Sequence, residues 1–212
     1  MGTITAIEPQ KKRGNRRSIY VDGEFTAGVH EDVVAALGLA VGQKLDKPGL
    51  IELLKAETSR QARESALRLL SYRDRSVAEI RKRLLGSDFP EDIVEKVIED
   101  LSRSELLDDQ KFSKQWVKSR TTTRPMGKMR LAWELRSKGV ASSTIDDALE
   151  DLDDNREYEM AHSLAAARMQ KADSDDTSVR RKISSLLQRR GFGWGVISKV
   201  MDDLYAEDTN DD

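Results

Sequence analysis

From Thr58 onward the apolar positions recur at helical intervals. Val94, Val97, Ile98 and Leu101 fall at i, i+3, i+4 and i+7, which is one face of a helix. That stretch closes with Ile-Glu-Asp-Leu at Leu101. Similar endings close two later stretches, at Leu152 and Leu204, with spacings of 51 and 52 residues. Counting back from these ends without gaps, seven columns are apolar in all three copies: Ile80/Leu131/Ile183, Leu84/Leu135/Leu187, Phe89/Val140/Phe192, Val94/Ile145/Ile197, Val97/Ala148/Val200, Ile98/Leu149/Met201 and Leu101/Leu152/Leu204. Each copy also has a leading amphipathic stretch: RESALRLLSY, KFSKQWVKSR and YEMAHSLAAARM. The unit is therefore three helices in about 45–50 residues. The turn between its second and third helices carries Gly139 or Gly191, and copy one has Asp88 there, with Pro90 opening the next helix. Each unit buries its apolar face partly against its neighbour, so the pattern predicts a mainly α fold: three tandem three-helix repeats forming an elongated α-solenoid.

The first 57 residues follow a different rule. ITAIE and RRSIYVDGEFTAGV are rich in β-branched and aromatic residues, and Asp22-Gly23 sits between two such runs, a strong hairpin signal. HEDVVAALGL reads as a short helix ending at Gly38. DKPGLIELLKAE reads as another, with Asp46 as cap and Pro48 in its first turn. KKRGNRR reads as a cationic loop between strands and a candidate for nonspecific nucleic-acid contact. The expected organisation is a small α+β accessory domain (1–57), three repeats (58–106, 107–155 and 156–205) and an acidic disordered tail (206–212).

Composition narrows the function class. Charged residues make up 35% and aromatics 5%, which suits thin helical packing better than one large round core. No cysteine is present, which excludes disulfides, zinc thiolates and thiol catalysis. The N-terminal stretch has no apolar signal-peptide core and no run approaches a membrane span, so a cytoplasmic protein without membrane contact is expected. The net charge of −2 hides blocks of opposite sign: residues 107–139 carry +6, 140–178 carry −8, 179–199 hold six cations and no anion, and 200–212 hold six anions and no cation.

Enzyme signatures are missing. There is no phosphate-binding P-loop, no HExxH and no GxSxG. DLDDNREYEMAH opens like a calcium loop, but Arg156 replaces its turn glycine and His162 its bidentate glutamate, so it reads as an acidic linker. His30 and His162 are far apart in sequence and read as lone surface or helix residues. No catalytic residue, metal or cofactor is expected.

Four stretches carry a family resemblance: ALRLLSYRDRSVAEIRKRLL (66–85), LLDDQKFSKQWVKSR (106–120), RPMGKMRLAWELRSKGV (124–140) and RRKISSLLQRRGF (180–192). Over roughly residues 60–205 the chain resembles the RecX family of bacterial recombination regulators. Two places depart from the pattern. Glu105 stands where glycine is expected, and Gly193 and Gly195 occupy the start of the last helix, which predicts a late start for it. The resemblance implies a non-enzymatic protein that binds the filament of the RecA recombinase on single-stranded DNA along its groove. It implies mainly inhibition of filament growth, ATPase and strand exchange, by a monomer with at most weak affinity for free DNA.

The cations are the candidate contacts: Arg120, Arg124, Lys128, Arg130, Arg136 and Lys138 in copy two, and Arg180, Arg181, Lys182, Arg189 and Arg190 in copy three. Favourable helix-end placement accounts for Arg136, Lys138, Arg189 and Arg190 but not for the others. Phe112 and Trp116 at i, i+4 read as core, whereas Trp133 lies between the core columns Leu131 and Leu135 and is the candidate exposed aromatic. The competing reading is a helix-turn-helix transcriptional regulator with SSTIDDALEDL as recognition helix. Its four carboxylates (Asp146, Asp147, Glu150 and Asp151) and lack of cations argue against insertion into a major groove.

Overall fold

A computed structural model describes residues 2–10, 13–170 and 177–207. Its chain divides into two compact units, one formed by Met1–Asp74 with Ile80–Leu106 and the other by Arg75–Glu79 with Leu107–Asp212.

The first unit opens with strands β1 (Gly2–Gln10), β2 (Arg13–Val21) and β3 (Glu24–His30), followed by helix α1 (Glu31–Ala36) and the short strand β4 (Lys44–Leu45). All pairings are antiparallel and the sheet order is β3-β2-β1-β4. Asp22 and Gly23 both have positive φ (51° and 85°), as a two-residue hairpin turn requires. Ile4, Ile19, Ala27, Val29, Val33 and Leu45 form a core that Leu53 of the next helix completes.

KKRGNRR is not a free loop. Arg13 to Arg17 lie within β2, and Lys11 and Lys12 lie outside the described residues. Arg16 is bonded to Glu57 at 2.7 Å and Arg17 to Glu31 at 2.6 Å, so two of its cations are held by internal carboxylates.

The two helices expected around residue 57 are one. Helix α2 runs unbroken over Lys47–Tyr72, capped by the Asp46 carboxylate on the Gly49 N–H at 2.9 Å. Its polar middle is made of good helix formers, and its buried positions change partner along its length. Leu53 faces the sheet core, while Ala62 and Ala66 are buried in the half that packs with α4.

The first repeat continues with α3 (Val77–Leu85) and α4 (Glu91–Arg103). The second comprises α5 (Asp109–Thr123), α6 (Lys128–Ser137) and α7 (Ser142–Glu150), and the third α8 (Asp154–Met169), α9 (Thr177–Arg189) and α10 (Trp194–Glu207). Of the 21 column residues, all are buried except Phe89 and Leu149, which are half-buried. Asp88 adopts the left-handed conformation (φ 60°) that glycine takes at the other two turns. Glu105 does the same (φ 56°), which explains why glycine is expected there. The expected late start of the last helix is corrected: α10 begins at Trp194, 52 residues after Ser142, with Gly193 in the cap position. Residues 208–212 of the expected tail lie outside the described residues.

Within the second unit the second and third repeats are joined at backbone level. Gly127 N–H donates to Arg190 O (3.0 Å) and Met129 N–H to Gly191 O (3.2 Å). Lys128 N–H donates to the buried Glu157 carboxylate at 2.8 Å. These are the first amides of α6, and Gly127 brings no side chain to cap them, so the third repeat supplies the cap. The first turn of α3 is held in the same manner. Val77 N–H donates to Asp109 Oδ1 (2.9 Å), Ser76 Oγ–H to Lys138 O (2.6 Å), and Ala78 lies against the Gly139 turn.

Candidate partner-binding surface

The second repeat organises its cations around one carboxylate. Asp108 caps α5 by accepting from the Gln110 and Lys111 amides, which sets the phase of Phe112, Trp116 and Arg120 along that helix. Trp116 Nε1–H donates to Glu134 Oε2 at 3.0 Å, and Arg120 Nε reaches the same oxygen at 3.0 Å. Arg130 lies 3.6 Å from the other Glu134 oxygen. The Trp116 ring is flanked by the Arg120 guanidinium at 4.4 Å and the Lys138 ammonium at 4.3 Å, and Lys138 also meets Glu79 at 3.3 Å. Arg120 and Lys138 are therefore held partly inward, in a network that braces α5 against α6.

The other candidates fall into two groups. Lys128 pairs with Asp154 at 2.8 Å, and the hydrogen bond and charge of its ammonium hold that exposed carboxyl below its ordinary pKa. Arg180 lies over the Tyr205 ring at 4.9 Å and 4.0 Å from Asp202. In contrast, Arg124, Arg136, Arg181, Lys182, Arg189 and Arg190 make no ion pair among the described residues; all are exposed except Arg190, which is half-buried. Trp133 is 55% exposed with Arg130 stacked 4.4 Å from its ring centre. The structure thus collects Arg120 and Arg130 about Glu134, ties Lys138 to Glu79 and the Trp116 ring, leaves Arg124, Arg136 and Trp133 open to solvent, and turns Arg181, Lys182 and Arg189 into a cleft with Arg168.

The exposed charges of α7 are Asp146, Asp147 and Glu150, and its apolar residues Ile145 and Ala148 are buried. Among the described residues no group of three potential ligands is placed to hold a metal, and no helix is long and apolar enough to cross a membrane. His30 caps α1 by accepting from the Asp32 amide, and His162 stacks on Tyr158.

The chain is 32% identical to the regulatory protein RecX of Clostridioides difficile, with all of both chains covered. The chain belongs to the RecX family. Models of the RecX N-terminal domain and of its first, second and third three-helix domains match residues 2–46, 62–101, 108–149 and 155–201. The regulatory protein RecX of Clostridium acetobutylicum is 30% identical over 97% of each chain. A crystal structure of a regulatory protein RecX superposes with a TM-score of 0.79 at 30% identity, covering 95% of this chain and all of the other. The RecX family is one of regulatory proteins, and the three repeats are its three-helix domains.

Several residues of this RecX surface escape sequence reasoning. Glu134 is one anion in a cationic block, and its organising role appears only when α5 and α6 are brought together. Arg168, on α8, joins the α9 cations only through the packing of the third repeat. Trp194, 75% exposed, sits in a glycine-rich stretch and offers no periodic signal.

The two tryptophans of the second repeat give a direct check. Trp116→Ala removes a ring packed on the Phe112 core together with its bond to Glu134, and is expected to lower stability by about 2 kcal/mol. Trp133→Ala is expected to stay within about 0.5 kcal/mol of the parent. Urea denaturation of both variants measures the contrast, and equal losses would refute the assigned roles.

Proposed function

We propose that the protein is a non-enzymatic regulator of the RecA recombinase. It docks as a monomer on the RecA–single-stranded-DNA filament in the cytoplasm, along the filament groove. By occupying that groove it restrains filament growth, ATPase turnover and strand exchange. Membership of the RecX family supports the regulatory role. The observation that carries the docking surface is the open part of the second repeat: Arg124 and Arg136, without ion pairs among the described residues, together with the exposed Trp133. Exposed arginines suit phosphates and carboxylates alike through bidentate bonding, and an exposed tryptophan supplies contact area at low entropic cost. Arg120 and Lys138 contribute by holding that surface in shape.

The test is a RecA ATPase assay on single-stranded DNA with the protein titrated in. Turnover is expected to fall with added protein. Arg124→Glu/Trp133→Ala/Arg136→Glu, all at exposed positions, is expected to raise the half-inhibiting concentration at least about tenfold, equivalent to ~1.4 kcal/mol of binding. Unchanged turnover with the parent protein would overturn the function. Full potency of the triple variant would overturn the surface.

A further inference from the structure

The third repeat contains a basic cleft, lined by Arg168 of α8 and by Arg181, Lys182, Ser185, Leu186 and Arg189 of α9, with a volume of about 420 Å³. Four of these six residues are cations, and none is a carboxylate. None of the four makes an ion pair among the described residues. Arg180, their neighbour in sequence, turns away to Tyr205 and Asp202.

Favourable placement at helix ends does not account for the group. Arg168 and Arg189 stand in the last turns of α8 and α9, where cations complement the helix dipole. Arg181 and Lys182 lie in the middle of α9, away from the last turn where the dipole favours cations. Like charges gathered about one space repel each other unless an anion is held between them.

The row is also regular. Arg181, Ser185 and Arg189 follow at i, i+4 and i+8 and so span about 12 Å of one helix face. The opposite face, Ile183 and Leu187, is fully buried against Ala161 and Ala165 of α8, so the row is presented on a rigid support. A protein partner calls for an apolar centre, and among the described residues of the lining Leu186 is the only apolar one. Guanidinium, ammonium and hydroxyl donors without an apolar centre match phosphate oxygens instead.

We infer that this cleft is an oligophosphate-binding site. It holds two or more adjacent phosphate groups, with Arg181 and Arg189 as bidentate clamps, Lys182 as a further charge on the same helix, Arg168 of α8 as the charge across the cleft, and Ser185 as a hydroxyl donor. Consecutive phosphates of a nucleic-acid strand and the chain of a free polyphosphate share this chemistry. The inference goes beyond docking on a filament, and its test contains no recombinase, so its failure leaves the ATPase result untouched.

The experiment measures binding of a labelled oligothymidylate across a salt series, for the parent and for Arg168→Gln/Arg181→Gln/Arg189→Gln. Sodium tripolyphosphate and polyglutamate serve as competitors. The substitutions lie on exposed helical surface, and circular dichroism of the variant checks that it is folded. The parent is expected to bind the strand, or tripolyphosphate by thermal shift, and the variant to lose that binding. In the strand arm, three lost phosphate contacts make the slope of log K against log salt shallower by about 2, at ~0.7 per contact. Tripolyphosphate that binds without the strand, or displaces it, assigns the free chain as a ligand. A strand that tripolyphosphate does not displace assigns the strand alone. Binding unchanged in the variant, no binding of either ligand by the parent, or displacement by polyglutamate as effective as by tripolyphosphate would each overturn the site.

Discussion

Gly127→Ala is expected to unfold at a clearly lower urea concentration than the parent, with a loss of about 3 kcal/mol or more. An added Cβ would lie 2.3 Å from Gly191 O and 2.5 Å from both Gly191 C and Phe192 Cα. All three are backbone atoms of the third repeat and have no rotamer to yield. Relief requires the α6 terminus to move off the turn, which breaks the bonds from Gly127 and Met129 and draws Lys128 N–H away from Glu157. Overpacking alone typically costs about 1–3 kcal/mol, and the lost caps add to it. Gly191→Ala should match it from the other side. Its φ of +82° is left-handed, costing a side chain about 1–2 kcal/mol, and its Cβ would meet Arg130 Cβ at 2.3 Å. Gly195→Ala is the contrasting control: it stands inside α10 with nothing within 4 Å, and is expected to gain about 0.4–1 kcal/mol. A Gly127→Ala melt that coincides with the parent's would show that the two repeats are not joined in this way.

The second large effect belongs to Glu57. This carboxylate is 5% exposed and accepts from Arg16 (2.7 Å), the His30 backbone N–H (2.8 Å) and the Gln61 amide (2.7 Å), with Arg60 Nε 3.6 Å away. Burial pushes its pKa up, but the His30, Gln61 and Arg16 interactions outweigh burial and hold it below the ordinary glutamate value. Glu57→Ala leaves Arg16 without its carboxylate in a half-buried site and should cost about 3–5 kcal/mol. The sign of the pH dependence follows from the lowered pKa. The stabilisation from the ionised group is complete above the unfolded glutamate value, about 4.3, and is lost as pH falls through the lower folded value. The stability gap between the parent and Glu57→Gln is therefore expected to be constant from pH 7 to about 5 and to shrink below about 4.3. Denaturation midpoints over that range measure it, and a gap that widens on acidification would contradict the arrangement.

The repeats were legible because their signal is local and appears three times. A column such as Leu84/Leu135/Leu187 reports burial directly, and Asp22-Gly23 announces its hairpin through the one turn geometry it favours. What was not legible depends on partners far away in the chain. KKRGNRR looks like a solvated cationic loop until Glu57 and Glu31 arrive from other elements and take up Arg16 and Arg17. The same holds for the candidate surface. Helix-end placement sets Arg136 and Lys138 apart in the sequence, but only packing separates Arg120, Lys128, Arg130 and Lys138 from Arg124 and Arg136, through Glu134, Asp154 and Glu79. The stretch around residue 57 misleads for another reason: its polar residues resemble a linker, yet Thr58 folds its hydroxyl back onto Leu54 O and the helix continues.

That continuity bears on how the N-terminal domain is inherited or removed. Residues 47–61 fall between the family spans 2–46 and 62–101, and all of them are helix α2. The sheet domain is therefore not a bead on a string. A relative that dispenses with it must begin its first repeat with a newly made helix end, because the native one is set at Asp46, inside the part discarded. A chain cut at residue 58 would open in mid-helix with its first amides unmet, and would have to nucleate afresh a segment that otherwise inherits its order from the strands before it.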